Sequence, residues 1–211
     1  MNSHRYPAPL QRTICTRTLL GLSSLFLLCQ SSQAEQIELS KINHSVQLLD
    51  LSKPDSRAKR FEAATLMDAP VAQVCAAIMA YDSYPSFMPN TSKVSVVKLN
   101  DNASQVDFTL SLPLGKTKKY RLRMTPKQTG TNCHLSWKML PWEGLKQDET
   151  IADTQGYWSL SSVSNDAQKT VVRYVVETDP GPVPLGLGWI VDSMSKDSIP
   201  KMLEALRTKL R

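Results

Sequence analysis

The side chains able to do chemistry are few and widely spaced. Beyond residue 34 there are two histidines, His44 and His134, so a metal site would need scattered carboxylates to complete it, and none is expected. Cys133 and His134 are neighbours, but on a strand neighbours face opposite ways, which makes a poor thiolate–imidazole pair. Asp148, Glu149 and Asp153 lie close enough for general acid–base work, yet they read more simply as a solvated strand face. The sequence holds no G-x-S-x-G, H-E-x-x-H, C-x-x-C or phosphate-loop pattern. Gly186-x-Gly188 lacks the third glycine of a dinucleotide loop. No cofactor is expected.

Cations and aromatic residues are more suggestive. Lys116, Lys118, Lys119, Arg121 and Arg123 form the one basic concentration. Lys119, Arg121 and Arg123 share a face opposite Tyr120, Leu122 and Met124. A solvated outer face is the simple reading; transient docking to an anionic membrane surface is the more specific one. Phe108, Tyr120, Trp137, Trp158, Tyr174 and Met194 all fall on apolar faces. Any one of them is most simply core. As a set they suit a pocket, because Tyr and Trp bury bulk while keeping a polar tip, and Met adapts to a flexible ligand.

These residues need elements to position them. Arg60–Met67 reads as a first strand, and Asp68-Ala69-Pro70 opens a helix with Asp68 or Ala69 near its N-cap. Val71, Val74, Cys75 and Ile78 form its apolar stripe. Tyr81–Pro85 breaks that helix, and a short second helical turn reaches Phe87 and Met88. Beyond it the period changes to two. Val106, Phe108, Leu110 and Leu112 alternate with polar residues, as do Tyr120, Leu122 and Met124, then Cys133, Leu135, Trp137 and Met139. A longer strand is expected over Lys146–Ser161, with Gly156 a bulge or bend, and another over Thr170–Thr178. Turns about ten residues apart predict consecutive hairpins. After Pro184 a helical stripe from Leu187 to Leu206 includes Ile190 and Met194, with Pro200 expected to kink it. A sheet with one apolar face must be covered, and this helix is the element long enough to do it.

Residues 1–34 read as a signal peptide. Arg5, Arg12 and Arg17 precede an apolar stretch from Leu19 to Cys29, and Ser32-Gln33-Ala34 offers a cleavage site before Glu35. The stretch is far shorter than the roughly 20 residues that span a bilayer. Export to the periplasm, with cleavage after Ala34, is therefore expected. The formal charge of +6 then falls by the three arginines to a mildly basic value, not a nucleic-acid footprint. Cys75 and Cys133 remain, in a helix and a strand respectively; two separate buried thiols are the preferred reading over a disulfide.

Certain local sequences carry a family resemblance. They are Asp68-Ala69-Pro70, Tyr81-x-x-Tyr84-Pro85, Gly156-Tyr157-Trp158-Ser159-Leu160, Val172-x-Tyr174, Thr178-Asp179-Pro180-Gly181 and Ser198-Ile199-Pro200. In this order they resemble the START-like (SRPBCC) superfamily, near its polyketide-cyclase and coenzyme Q-binding START groups. The resemblance covers residues 60–211, with 35–59 read as a leader. It implies an α+β helix-grip fold: a curved antiparallel sheet around a long C-terminal helix, with two short helices between the first and second strands. Members bind lipids, sterols or quinones, and a minority are cyclases or aromatases.

The expected function is an exported, monomeric carrier of an apolar molecule. Its cavity would be lined by Phe87, Met88, Phe108, Leu110, Tyr120, Leu122, Trp137, Met139, Trp158, Tyr174, Ile190 and Met194, with Tyr81–Pro89 and Gly181–Trp189 as a lid. The rivals are a cyclase of the same fold and an interaction or stress-related domain with a vestigial cavity.

Overall fold

The period-two stretches become hairpins of a single sheet. The computed structural model describes residues 37–183 and 188–211, except for the side chains of 188–195. The strands are β1 (Gln47–Asp50), β2 (Lys59–Met67), β3 (Thr91–Lys98), β4 (Ser104–Ser111), β5 (Thr117–Thr129), β6 (Asn132–Leu140), β7 (Asp153–Val163) and β8 (Asp166–Asp179). All pair antiparallel, in the order β1-β2-β8-β7-β6-β5-β4-β3. The first and last strands of the meander are thus separated, while β2 closes on β8. Helix α1 (Val71–Met79), a 3-10 turn over Tyr81–Ser86 and helix α2 (Gly188–Lys209) complete the α+β helix-grip fold.

One face of the sheet is apolar because alternation puts Val106, Phe108, Leu122, Met124, Cys133, Leu135, Trp158, Leu160 and Val172 on it. Two helices cover it. The stripe Val71, Val74, Cys75 and Ile78 of α1 is buried, as are Ile199, Met202, Leu203 and Leu206 of α2. Burying such side chains at about 25 cal/mol per Å² is the main term holding the layers together.

Several expectations need correction. The segment read as a leader contributes β1 to the sheet edge, and its backbone is held from below. Arg173 bonds both the buried Glu62 and the Ile37 carbonyl, and Arg207 donates to the His44 carbonyl at 2.7 Å and the Thr65 hydroxyl at 2.6 Å. That cover explains why β2 is buried on both faces from Phe61 to Thr65. Strand β3 was not anticipated: an edge strand with Val94 and Val96 only partly buried has a weak apolar signal. The strand expected from Lys146 begins only at Asp153, after an irregular connection containing Gly144 at φ 85°.

Gly156 is not a bulge. It pairs in register with Trp137 on one side and Val176 on the other. The N-cap of α1 is Pro70, and Asp68 instead meets His44 at 3.1 Å. Cys75 and Cys133 are bridged, with Cα atoms 6.1 Å apart, contrary to the separate-thiol reading. Both residues were placed correctly on inward faces; only the packing of α1 against β6 shows that the two faces meet at bridging distance.

Candidate ligand cavity

Between the central strands and the segment after α1 lies a cavity of about 190 Å³. The 3-10 turn and its exit supply Tyr84 and Met88. β4 supplies Phe108 and Leu110, β5 supplies Tyr120, Leu122 and Met124, and β6 supplies Trp137. The far wall is Ile151, Thr154 and Trp158 with Tyr174, Val176 and Thr178 of β8. The volume is small beside the roughly 300–1,000 Å³ of drug-sized sites.

The wall is built of aromatic pairs. Phe108 and Tyr120, cross-strand partners, stack with ring centroids 4.9 Å apart and planes 4° from parallel. Tyr174 lies between two indoles, 5.5 Å from Trp137 and 4.6 Å from Trp158. Such pairs fix ring positions and add about 0.5–1.5 kcal/mol each beyond area burial. Tyr84 packs edge-on against Phe87 and donates its hydroxyl to the Ile78 carbonyl at 2.6 Å. That bond ties the 3-10 turn to the end of α1, so this part of the expected lid is a packed wall.

Polar atoms on the wall are sparse. The hydroxyls of Thr154 and Thr178, directly opposite across β7 and β8, bond each other at 2.8 Å. Burial pushes the pKa values of Tyr84, Tyr120 and Tyr174 up, so the phenols stay neutral at ordinary pH. Among the described lining residues none is Asp, Glu, His, Lys or Arg. The arrangement can bury an apolar body and offer it neutral hydrogen bonds.

Of the residues expected at the site, Met88, Phe108, Leu110, Tyr120, Leu122, Trp137, Trp158 and Tyr174 come together on this wall. Phe87 does not line it; buried, it sits behind Tyr84, with Lys209 Nζ 5.9 Å from its ring. Met139 packs against the core away from the lining. Ile190 and Met194 lie outside the described side chains, as does most of the segment Gly181–Trp189. Tyr84, Met124, Ile151, Thr154, Val176 and Thr178 were missed. Met124 and Val176 continue alternations already recognised. Thr154 and Thr178 were legible as small polar residues in phase with the inward face. Ile151 fell within the strand expected over Lys146–Ser161 but out of phase with Trp158, and it lies on the irregular connection before β7.

Of Lys119, Arg121 and Arg123, the two arginines are less available than their alternation suggests. Arg121 forms a bidentate pair with Asp107, both contacts 2.7 Å, and its guanidinium sits 4.6 Å from the Trp142 ring. Arg123 pairs with Asp101. Lys119 is exposed. His134 stacks on Tyr157 with centroids 5.2 Å apart, and burial followed by the Lys127 charge lowers its pKa. Asp148, Glu149 and Asp153 are exposed, but only Asp153 stands on a strand; Asp148 and Glu149 lie on the irregular connection before β7.

Comparison with known proteins agrees with this architecture. A family model described as polyketide cyclase / dehydrase and lipid transport matches residues 67–207. No curated protein matches the chain. Among solved structures, a STAR-related lipid transfer protein fragment from Xanthomonas axonopodis superposes with a TM-score of 0.67 at 19% identity, covering 79% of this chain and 94% of that one. Human StAR-related lipid transfer protein 5 gives 0.65 at 9% identity, covering 86% and 88%. The Zhui aromatase/cyclase from a Streptomyces species gives 0.58 at 13%, covering 72% and 93%. At these identities the likeness is one of fold, and it spans both lipid-transfer proteins and cyclases. With the family model matched from the end of β2 through β3–β8, over α1 and most of α2, the chain belongs to the polyketide cyclase / dehydrase and lipid transport family.

Proposed function

We propose that this protein is an exported carrier of a small apolar molecule, held in the cavity against the aromatic wall. The observation that carries the reading is the wall itself: two indoles and three phenols from five elements around open volume, with no ionisable carboxylate, amine or imidazole among the described lining residues. Buried apolar area would supply the affinity. A cyclase needs a group that takes up or gives up protons near the substrate, and the phenols here are shifted away from that role. This favours binding over catalysis.

Export rests on the leader pattern of residues 1–34 and the periplasm is the proposed compartment. A disulfide between Cys75 and Cys133 suits an oxidising compartment. The chain is read as a monomer. Transient contact with anionic membrane is supported less by β5 than its composition suggests, since Arg121 and Arg123 are already paired. Native mass spectrometry of gently purified protein tests the carrier reading: a bound neutral organic mass is expected, and an empty protein with a fully packed interior argues against it.

A further inference from the structure

Tyr120 and Tyr174 reach the cavity from β5 and β8, which stand on either side of β6 and β7. Resting on the reading of this cavity as a ligand site, we propose that it selects uncharged ligands bearing a hydrogen-bond-accepting oxygen, a ketone, quinone or ester carbonyl, which the Tyr120 and Tyr174 hydroxyls hold.

Three observations converge on this selection. First, neither hydroxyl has a hydrogen-bond partner among the described residues, although the third phenol of the wall, Tyr84, is satisfied by the Ile78 carbonyl. Buried tyrosines ordinarily find a partner. The only fully enclosed side-chain nitrogen or oxygen without one, among the described residues, is Arg207 Nε, so both phenols keep contact with open volume. Second, their rings are not free to turn elsewhere. Tyr120 is stacked on Phe108, and Tyr174 is held between Trp137 and Trp158. The donors are therefore fixed before any ligand arrives, which reduces the ordering cost of binding. Third, the remaining hydroxyls, those of Thr154 and Thr178, bond each other, which uses one of their two protons and leaves the two phenols as the wall's main unpaired hydroxyl donors.

The same wall discriminates against two other classes. A carboxylate or phosphate would be buried with no counter-charge among the described lining residues, an unfavourable transfer from water. A pure hydrocarbon would strip water from both phenols and return nothing to them. Tyr120 and Tyr174 remain protonated because burial raises both pKa values, and the two phenols lie near enough that Tyr120 raises Tyr174 further. A neutral acceptor alone meets both demands. Sites built to hydrogen-bond a ligand group reject analogues lacking it because their own polar atoms are then left unpaired.

Three near-isosteric probes separate the terms: 2-acetylnaphthalene, 2-ethylnaphthalene and 2-naphthoate, titrated calorimetrically into the full-length mature protein at pH 7.5. The ketone should bind about tenfold tighter than the ethyl compound, one hydrogen bond's worth, and the carboxylate weakest of the three. In the Tyr120→Phe/Tyr174→Phe double variant the ketone-to-ethyl ratio should fall to about one. Should the double variant fail to fold, each single variant should still lower the ratio. Equal binding of all three, tightest binding of naphthoate, or a ratio that survives the substitutions overturns the selection while leaving the cavity as a ligand site. Binding of none contradicts the ligand-site reading itself.

Discussion

The indole of Trp137 occupies the space that a side chain at Gly156 would need. The two residues are register partners on β6 and β7, and a Cβ built on Gly156 would fall 2.4 Å from Trp137 Cζ2 and 2.2 Å from the Val175 carbonyl oxygen. The glycine therefore lets the indole lie across β7, where it stacks on Tyr174 and forms part of the cavity wall.

Gly156→Ala should accordingly displace Trp137 and not merely stiffen the strand. A loss of about 1–3 kcal/mol is expected, as for overpacking of a close-packed interior, with a shift in tryptophan emission. Thermal unfolding followed by fluorescence checks it. An unchanged melting temperature and spectrum would contradict the close approach of both the indole and the Val175 carbonyl to Gly156.

The Cys75–Cys133 bridge closes a loop with a sequence separation of 58 and pins α1 to β6. In the chain-entropy account a loop of that length is worth about 4 kcal/mol, within a usual range of roughly 2–5. Cys75→Ser/Cys133→Ser should lose that much stability in denaturant unfolding, and the wild type should lose it on reduction. Equal stability of oxidised and reduced protein would remove the bridge from the account.

Asp179 ends β8 and accepts two bonds from Arg57, at 2.7 and 3.0 Å, plus the Gly181 amide at 2.8 Å. The Arg57 bonds lower its pKa most, with burial opposing them. A depressed folded-state pKa gives stability that is complete above the ordinary carboxylate range and lost as pH falls through the folded value. Asp179→Asn should cost about 0.5–1 kcal/mol at pH 7, discounted for a pair partly open to water, and nothing once both states are protonated. Melting temperatures from pH 7 down to about pH 2 should show the two proteins converging. A gap that holds constant across that range contradicts the assignment.

Export gives a separate prediction. N-terminal sequencing of the mature protein should begin at Glu35, two residues before Ile37, whose carbonyl is held by Arg173. A mature chain beginning before residue 19 would contradict it.

Much of this architecture was legible because burial on one side imposes a period. The inward sets of β4, β5, β6 and β8 could be read directly, and with them Phe108, Leu110, Tyr120, Leu122, Trp137 and Tyr174 on the cavity wall. What stayed hidden depends on partners distant in sequence. The role of Gly156 is set by Trp137, and the bridge is set by how α1 lies on β6. β1 was obscured because its burial comes from a single pairing at the sheet edge. Arg121 and Arg123 looked free because their acids, Asp107 and Asp101, lie on or beside the neighbouring strand β4.

The central claim is that the space beside Leu110 belongs to a ligand. Leu110 lines the cavity and is only partly buried, so Leu110→Trp can fill that space without displacing packed neighbours. Native mass spectrometry of wild type and variant, purified alike, measures occupancy, with the melting temperature taken on the same samples. The account predicts a bound neutral mass on the wild type, its loss from Leu110→Trp, and a variant that melts within a few degrees of the delipidated wild type. A variant destabilised by about 1–3 kcal/mol, the usual cost of overpacking, with the same occupancy as wild type would contradict it.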